Sequence, residues 1–351
     1  MEFGCFKNPC KIEMKKNIYK YNFNKKIKNN IFSIQQLHVK SQPSFYNQFV
    51  NEFVVFEMTY KGEYIEAKNY NSDLPLLLLS IKDNSELLKT TLNNLRTYGI
   101  DALSNILVID DRPSNELNKK TANNFECSYL KVVNNENIFN FSMLHNLAVH
   151  IVQQKHKNLK TIILWNSDLW AKDSQTVPEL LKLHKENQST ISGTKLVYPD
   201  QTFDYCQPSK ANTVQFGGSM FGPRTDMVGL FPFHLYRGYS PEDEKVNCNK
   251  GELFITGAFM IVDAKWFIKS GGFCPVFTVA LQDADLCLRA ILQSKKVFYF
   301  GKNLELYHYE SYLRGWRDEN IKQPDRIDND VRVYTKLWDE KRVRNLLFKL
   351  E

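Results

Sequence analysis

The feature that constrains this chain most is a succession of short apolar runs, beginning at Leu74, that alternate with segments of helical periodicity. "LPLLLLS" has the length and continuity of a strand buried on both faces. "NSELLKTTLNNLRTYG" follows with leucines at helical spacing and Gly99 where a helix would end. "SNILVIDD" is the next strand, closed by two aspartates and the Pro113 turn, "SMLHNLAVHIVQQKHK" is a helix, and "LKTIILWNSD" is a third strand. Strands joined by helical crossovers predict an α/β fold with a doubly wound, mostly parallel sheet. Such sheets bind ligands in the crevice at the carboxyl ends of their strands.

Acidic residues collect at those ends: Asp83 after the first strand, Asp110 and Asp111 after the second, Asp168 after the third. Aspartate suits turns and helix caps, so any one of them has an ordinary structural explanation. Their recurrence at successive strand ends points instead to a divalent cation and hydroxyl-rich ligands, since carboxylates chelate hard metals and accept bonds from sugar hydroxyls. A dinucleotide-binding oxidoreductase is disfavoured, because "SIKDNSE" lacks the glycine-rich phosphate loop that follows its first strand.

Beyond residue 190 the texture is mixed. "ISGTKLVYPDQTFDYCQ" reads as a hairpin, and residues 213–250 form a long Gly- and aromatic-rich region of the kind used for functional loops. "GELFITGAFMIVDAKWFIKSGGF" gives a strand, a helix and a tight Gly-Gly turn; "LQDADLCLRAILQ" is a helix with an acidic start, and "KVFYF" is a strand. "LYHYESYLRG" reads as a polar, aromatic loop carrying a histidine. The expected division is a basic amino-terminal extension (1–72), an α/β domain (73–315) and a helical tail (316–351). The tail spaces Val333, Leu337, Val343, Leu346, Leu347 and Leu350 helically among Arg and Lys. That leaves open packing on its own domain, oligomer formation with another subunit, or peripheral contact with an anionic membrane.

Composition narrows the class. Lys and Arg exceed Asp and Glu by 46 to 39, a formal charge of +7, which fits a phosphate-bearing ligand but is too small an excess to argue for nucleic acid. Much of it lies in the Lys/Asn-rich "KIEMKKNIYKYNFNKKIKNN", read as a peripheral arm. The seven cysteines, Cys5 and Cys10 among them, are scattered and odd in number, as expected of reduced thiols in a cytosolic protein. No apolar run reaches the roughly 18 residues of a membrane span. The expectation is a cytoplasmic protein, with the inner face of the membrane as the surface its tail would meet.

Taken in order, "LSIKDNSELLKTTLNNL", "ILVIDDRPS", "FSMLHNLAV", "LWNSD", "GTKLVYPDQTFDYCQ", "FITGAFMIVDAKWFIKSGGF", "LQDADLCLRA" and "YHYESYLRG" resemble the motifs of the family 2 glycosyltransferases. Within that family the resemblance is to bacterial, rhamnosyltransferase-like enzymes of cell-surface glycan synthesis. It implies the GT-A fold: α/β, with a Rossmann-like, mostly parallel central sheet flanked by helices and a mixed acceptor-side half. By the same resemblance Asp83 and Asp110 or Asp111 hold the base and ribose of a nucleotide, Asn146 falls within a donor-site motif, and Gly257 belongs to a small-residue turn that lines the donor or acceptor pocket. "NSD" takes the place of the metal-binding D-x-D, with Asn166 for the first Asp and Asp168 for the last. His308 matches a histidine that approaches the metal or the diphosphate, and Arg314 is a partner for the diphosphate. The metal implied is Mn²⁺ or Mg²⁺. In "QDAD", Gln282 replaces the usual Glu, Asp283 matches the catalytic base and Asp285 the acid after it.

The activity implied is metal-dependent, inverting transfer of a hexosyl-type group from a nucleotide sugar to a hydroxyl of a glycan or lipid-linked saccharide. A UDP-sugar is favoured, with dTDP and GDP sugars open. The rival reading, prompted by Asn166 and Gln282, is a non-catalytic sugar- or partner-binding protein derived from such an enzyme.

Overall fold

The computed structural model describes residues 22–23, 31–41, 53–135, 137–202, 206–224, 227–310 and 325–347; Arg314, Cys5 and Cys10 lie outside them. The first elements are β1 (Asn22–Phe23), β2 (Ile31–Ser41), β3 (Phe53–Ile65), β4 (Leu76–Ile81), α1 (Ser85–Thr97), β5 (Asn105–Asp111), α2 (Leu117–Asn124) and β6 (Ser128–Asn134). Next come α3 (Phe141–Lys155), β7 (Thr161–Asn166), β8 (Leu169–Ala171), α4 (Thr176–Glu186), β9 (Ile191–Val197), β10 (Val214–Phe216), β11 (Ser219–Arg224) and β12 (Met227–His234). The chain continues with β13 (Asn249–Gly251), β14 (Phe259–Asp263), α5 (Ala264–Lys269), α6 (Gln282–Leu292), β15 (Val297–His308), α7 (Asp325–Leu337) and α8 (Glu340–Leu347).

One large sheet runs in the order β1-β2-β3-β6-β5-β4-β7-β14-β9-β15-β13. Its heart, β6-β5-β4-β7, is parallel. Leu76, Leu77, Leu78 and Leu79 of β4 are all fully buried, as a strand covered on both faces must be. On the far side β14 is antiparallel to both β7 and β9, while β9 and β15 pair in parallel, giving the mixed half expected from the sequence. Helix α3 lies against β4 and β5, α2 against β5 and β6, and α4 against β9 and β15. Asn84 caps α1 by accepting from the Leu87 N–H, and Asn140 caps α3 by accepting from the Met143 N–H.

The sheet begins upstream of residue 73. Strand β3 pairs antiparallel with β6 over residues 60–65 and with β2 along its full length, and Tyr60 and Tyr64 are fully buried. The period-2 alternation of "FVVFEMTYKGEYI" is the signal for this strand, diluted by Lys, Glu and Thr on the intervening positions. The segment read as a hairpin is also different. Val197 of β9 pairs with Val214, so the strand that returns against β9 is β10, further along the chain than the sequence pattern suggested. His308, placed by sequence in a loop, is the last residue of β15, because the strand beginning at "VFYF" continues through "GKNLELYH".

The carboxyl-terminal helices pack on their own chain: Val333, Tyr334, Trp338, Val343 and Leu346 are buried. Among the described residues no helix is long and apolar enough to cross a membrane. Cys127, Cys206, Cys248, Cys274 and Cys287 are all free thiols.

Candidate functional site

Parallel pairing sets the acidic strand ends side by side. Ile81 of β4 is opposite Asp110 of β5, and Ser80 is opposite Asn166 of β7, so the three strands finish at one edge. Asp83, just beyond, adopts φ +45°, a left-handed conformation that aspartate tolerates better than most residues. Its carboxylate is exposed, and Oδ1 accepts from the Ser114 N–H at 2.7 Å and the Ser114 hydroxyl at 2.9 Å. That contact ties the β4 turn to the β5 turn and leaves Asp83 within reach of a ligand.

Asp110 behaves differently. It is fully buried, with Oδ1 accepting from Asn118 Nδ2 at 2.8 Å and Oδ2 from the Tyr129 hydroxyl at 2.6 Å. Burial raises its pKa above the usual carboxylate value, while these two bonds pull it back down. It fastens α2 and β6 to β5, with both oxygens engaged inside the fold. Asp111 is also buried, and it accepts from Arg112 Nε at 2.9 and 3.0 Å through its two oxygens. Asn146 likewise turns out to be a clamp: Nδ2 donates to the Phe273 carbonyl at 2.8 Å and Oδ1 accepts from the Phe273 N–H at 2.9 Å. Both halves of its amide are engaged in holding the Gly271-Gly272-Phe273 turn against α3.

The "NSD" turn is supported from below and from the side. Thr91 on α1 donates to the Ser167 carbonyl at 2.6 Å, and Asn94 exchanges two hydrogen bonds with Ala171. Strand β8 then pairs with the end of β15, with Leu169 opposite His308, and the Tyr309 N–H donates to the Asp168 carbonyl at 3.0 Å. This pairing brings together two side chains far apart in sequence: His308 Nε2 stands 3.5 Å from Asp168 Oδ1, both residues being buried. Among the described residues His308 Nε2 has no hydrogen-bond partner.

Behind His308 lies a polar chain that sequence reading missed. Gln215, buried on β10, places Oε1 at 3.1 Å from His308 Nδ1 and donates through Nε2 to Glu310 Oε1 at 3.0 Å. Arg237 grips Glu310 with two bonds of 2.7 Å, and the Tyr198 hydroxyl donates to Glu310 Oε2 at 2.6 Å. Burial opposes ionisation of Glu310, but the Arg237 and Tyr198 hydrogen bonds prevail and hold its pKa down at about 2. Nothing in the spacing of Gln215, Arg237 and Glu310 announces this; only the β9–β10 and β9–β15 pairings bring them together.

The remaining element is the start of α6. Asp283 is partly exposed; Oδ2 accepts from the Gly257 N–H at 2.8 Å and Oδ1 from the Ala284 N–H at 2.9 Å. The next residue to Gly257, Ala258, accepts from the Asn166 N–H at 2.9 Å. The dipeptide Gly257-Ala258 therefore bridges the "NSD" turn to the Asp283 carboxylate, joining two motifs separated by more than a hundred residues. Asp285, by contrast, is fully buried against Arg289 and Trp338. Gln282 is buried as well, and among the described residues its Oε1 has no hydrogen-bond partner.

A hard carboxylate oxygen and a buried imidazole nitrogen, the latter with no hydrogen-bond partner among the described residues, lie 3.5 Å apart at the carboxyl-terminal edge of the parallel strands and fit a divalent cation. No group of three or more His, Cys, Asp or Glu side chains suited to a metal occurs among the described residues. The pair would thus supply part of a coordination sphere and leave the rest to ligand oxygens and water.

No protein-family model matches the sequence, and no curated protein matches it. Solved structures do. The structure of GalNAc-T7 with UDP, GalNAc and Mn²⁺ superposes with a TM-score of 0.53 at 12% identity. The match covers 77% of this chain and 50% of that one, so the chain spans half the length of that structure. The catalytic domain of Drosophila beta1,4galactosyltransferase 7 in complex with xylobiose is 13% identical over 70% of this chain and 74% of that one, with a TM-score of 0.39. The fold is the GT-A glycosyltransferase fold.

Proposed function

We propose that this chain is a metal-dependent glycosyltransferase that moves a sugar from a nucleotide-sugar donor to a hydroxyl of a glycan or lipid-linked acceptor, with inversion at the anomeric carbon. The observation that carries the reading is the convergence of Asp168, His308 and Asp283 at one sheet edge, tied together through Gly257-Ala258. The similarity in fold to GalNAc-T7, whose structure contains UDP and Mn²⁺, supports a UDP-sugar and a divalent cation. The motifs shared with rhamnosyltransferase-like family 2 enzymes favour cell-surface polysaccharide synthesis as the setting and a hexosyl group as the cargo.

In this reading Asp168 and His308 would hold Mn²⁺ or Mg²⁺, which would supply positive charge to offset that of the departing diphosphate in place of a protein acid. Asp83, exposed at the β4 turn, is placed to accept bonds from the base or ribose. Asp283 acts on the acceptor. Its Oδ2 is held by the Gly257 N–H while the residue stays partly exposed, so the carboxylate is oriented and still accessible as a general base. It takes the proton of the acceptor hydroxyl as that oxygen attacks the anomeric carbon, opposite the leaving group, through an oxocarbenium-like transition state. Asp285 has no such freedom and serves the fold.

Incubation with a panel of nucleotide sugars, acceptor saccharides and Mn²⁺ should release nucleoside diphosphate, and the anomeric configuration of the product reports inversion. Retained turnover in Asp283→Ala would overturn the assignment of the base. A non-catalytic sugar-binding protein would show donor-dependent thermal stabilisation with no diphosphate released.

A further inference from the structure

We propose that Gln215 is a positioning residue for His308: it holds the imidazole as the Nδ1–H tautomer with the Nε2 lone pair turned toward Asp168, and the Arg237–Glu310 pair holds Gln215. The inference rests on the reading that Asp168 and His308 bind a divalent cation.

The argument starts from Glu310. Arg237 donates to both of its oxygens at 2.7 Å, so Glu310 is held in place and meets its neighbours as an acceptor. The Gln215 atom 3.0 Å from Glu310 Oε1 must therefore be the donating NH₂. His234 agrees with that orientation. Its Nδ1 accepts from Arg237 Nη2 at 3.2 Å and stands 3.4 Å from Gln215 Nε2, where an NH₂ can donate and a carbonyl oxygen could not. With the amide oriented in this way, Oε1 points at His308 Nδ1 at 3.1 Å and can only accept, so Nδ1 carries the hydrogen.

The consequence falls on the other ring nitrogen. In the neutral imidazole, Nε2 then presents a lone pair to the Asp168 carboxylate 3.5 Å away, two acceptors facing each other in a buried site. A cation between them turns that repulsion into ligation. A histidine that binds a metal generally donates its second N–H to an oxygen acceptor, which fixes tautomer and ring orientation. Here the acceptor is a neutral amide, itself held by the half-buried carboxylate of Glu310, which Arg237 fixes in turn.

The test is Mn²⁺ binding to the full chain in the presence of UDP, read from the electron paramagnetic resonance signal of free Mn²⁺, with melting temperature as the check on folding. His308→Ala should weaken binding at least tenfold. Gln215→Met, close in shape but without the amide oxygen, should weaken it by about 10–100-fold. Gln215→Glu keeps an oxygen acceptor and adds negative charge behind the ring, so it should bind Mn²⁺ at least as tightly as the wild type. A merely structural role predicts the opposite ranking, because a second carboxylate buried beside Glu310 would be the more disruptive change. Gln215→Asn, too short to span His308 and Glu310, replaces the Met variant should that one not fold, and should bind as weakly. Weak binding in His308→Ala with wild-type binding in Gln215→Met or Gln215→Asn would overturn the role of Gln215 alone. Wild-type binding in His308→Ala would overturn the metal reading beneath it.

Discussion

Asp283 and Asp285 stand two residues apart at the start of α6 and point to opposite duties: Asp283 accepts from the Gly257 N–H at the site, while Asp285 is sealed between Arg289 and Trp338. A two-residue step turns a helix by about 200°, so one carboxylate reaches the site only if the other is directed into the core. Asp283→Asn should lower diphosphate release by about a hundredfold or more with a melting temperature close to wild type. Asp285→Asn leaves the fully buried Arg289 without its ion pair and should cost roughly 3–5 kcal/mol of stability in denaturant titration.

Chelation and substitution of Asp168 should act on the same step. Removing divalent cations with EDTA should abolish turnover, and Mn²⁺ should restore it in the wild type. In Asp168→Asn the half-saturating Mn²⁺ concentration should rise at least tenfold, since one of the two candidate protein ligands loses its charge.

The loop before α6 is held by the tail. Asp330 on α7, fully buried, accepts from the N–H groups of Thr278, Val279 and Ala280 at 2.8–3.0 Å, just before Leu281, which takes a left-handed φ of +67°. Asp330→Ala removes the acceptor for these donors and should destabilise the chain by about 2–3 kcal/mol. It should also reduce turnover while the Mn²⁺ requirement stays as in the wild type, because α6 carries Asp283 and neither candidate metal ligand.

Gly272 has no room for a side chain. A Cβ there would lie 2.3 Å from Asn146 Oδ1, and the backbone sits at φ +71°. Gly272→Ala should therefore displace the Asn146 clamp and cost roughly 2–4 kcal/mol, combining left-handed strain with the loss of two buried hydrogen bonds. Thermal melts of Gly272→Ala and Asn146→Ala should show losses that do not add in the double variant.

Stability should fall with pH in a window set by buried histidines. Burial lowers the pKa of His145 and of His184 to about 4, so these rings stay neutral in the native state while the unfolded chain protonates near 6.5. The unfolded state then binds more protons between about pH 4 and 6.5, so the stabilising contribution is complete above 6.5 and is lost as pH falls toward 4. Each ring accounts for roughly 1–3 kcal/mol. Unfolding free energies across this range should show the decline, and His184→Gln should make it shallower.

The alternation of apolar runs and helical segments was enough to read the parallel heart of the sheet, because a strand buried on both faces must be continuously apolar, as Leu76–Leu79 are. The aspartates at its carboxyl ends were legible for the same reason: Ile81, Asp110, Ser80 and Asn166 mark one edge once the strands are parallel. Strand β3 was missed because its buried tyrosines alternate with charged residues, and β10 because residues 198–213 separate it from its partner.

What sequence order determined is therefore the α/β framework and the choice of Asp83, Asp168, Asp283 and His308 as candidates, since periodicity and motif order are properties of the chain itself. Which polar side chains are available was decided by the tertiary structure. Asp110 and Asn146 are consumed by internal hydrogen bonds, whereas Asp168 is brought beside His308 by the pairing of β8 with β15. The physical reason is that a polar group's partners are set by long-range strand register, and a one-dimensional pattern carries only the side chain's type and the face it shares with its neighbours.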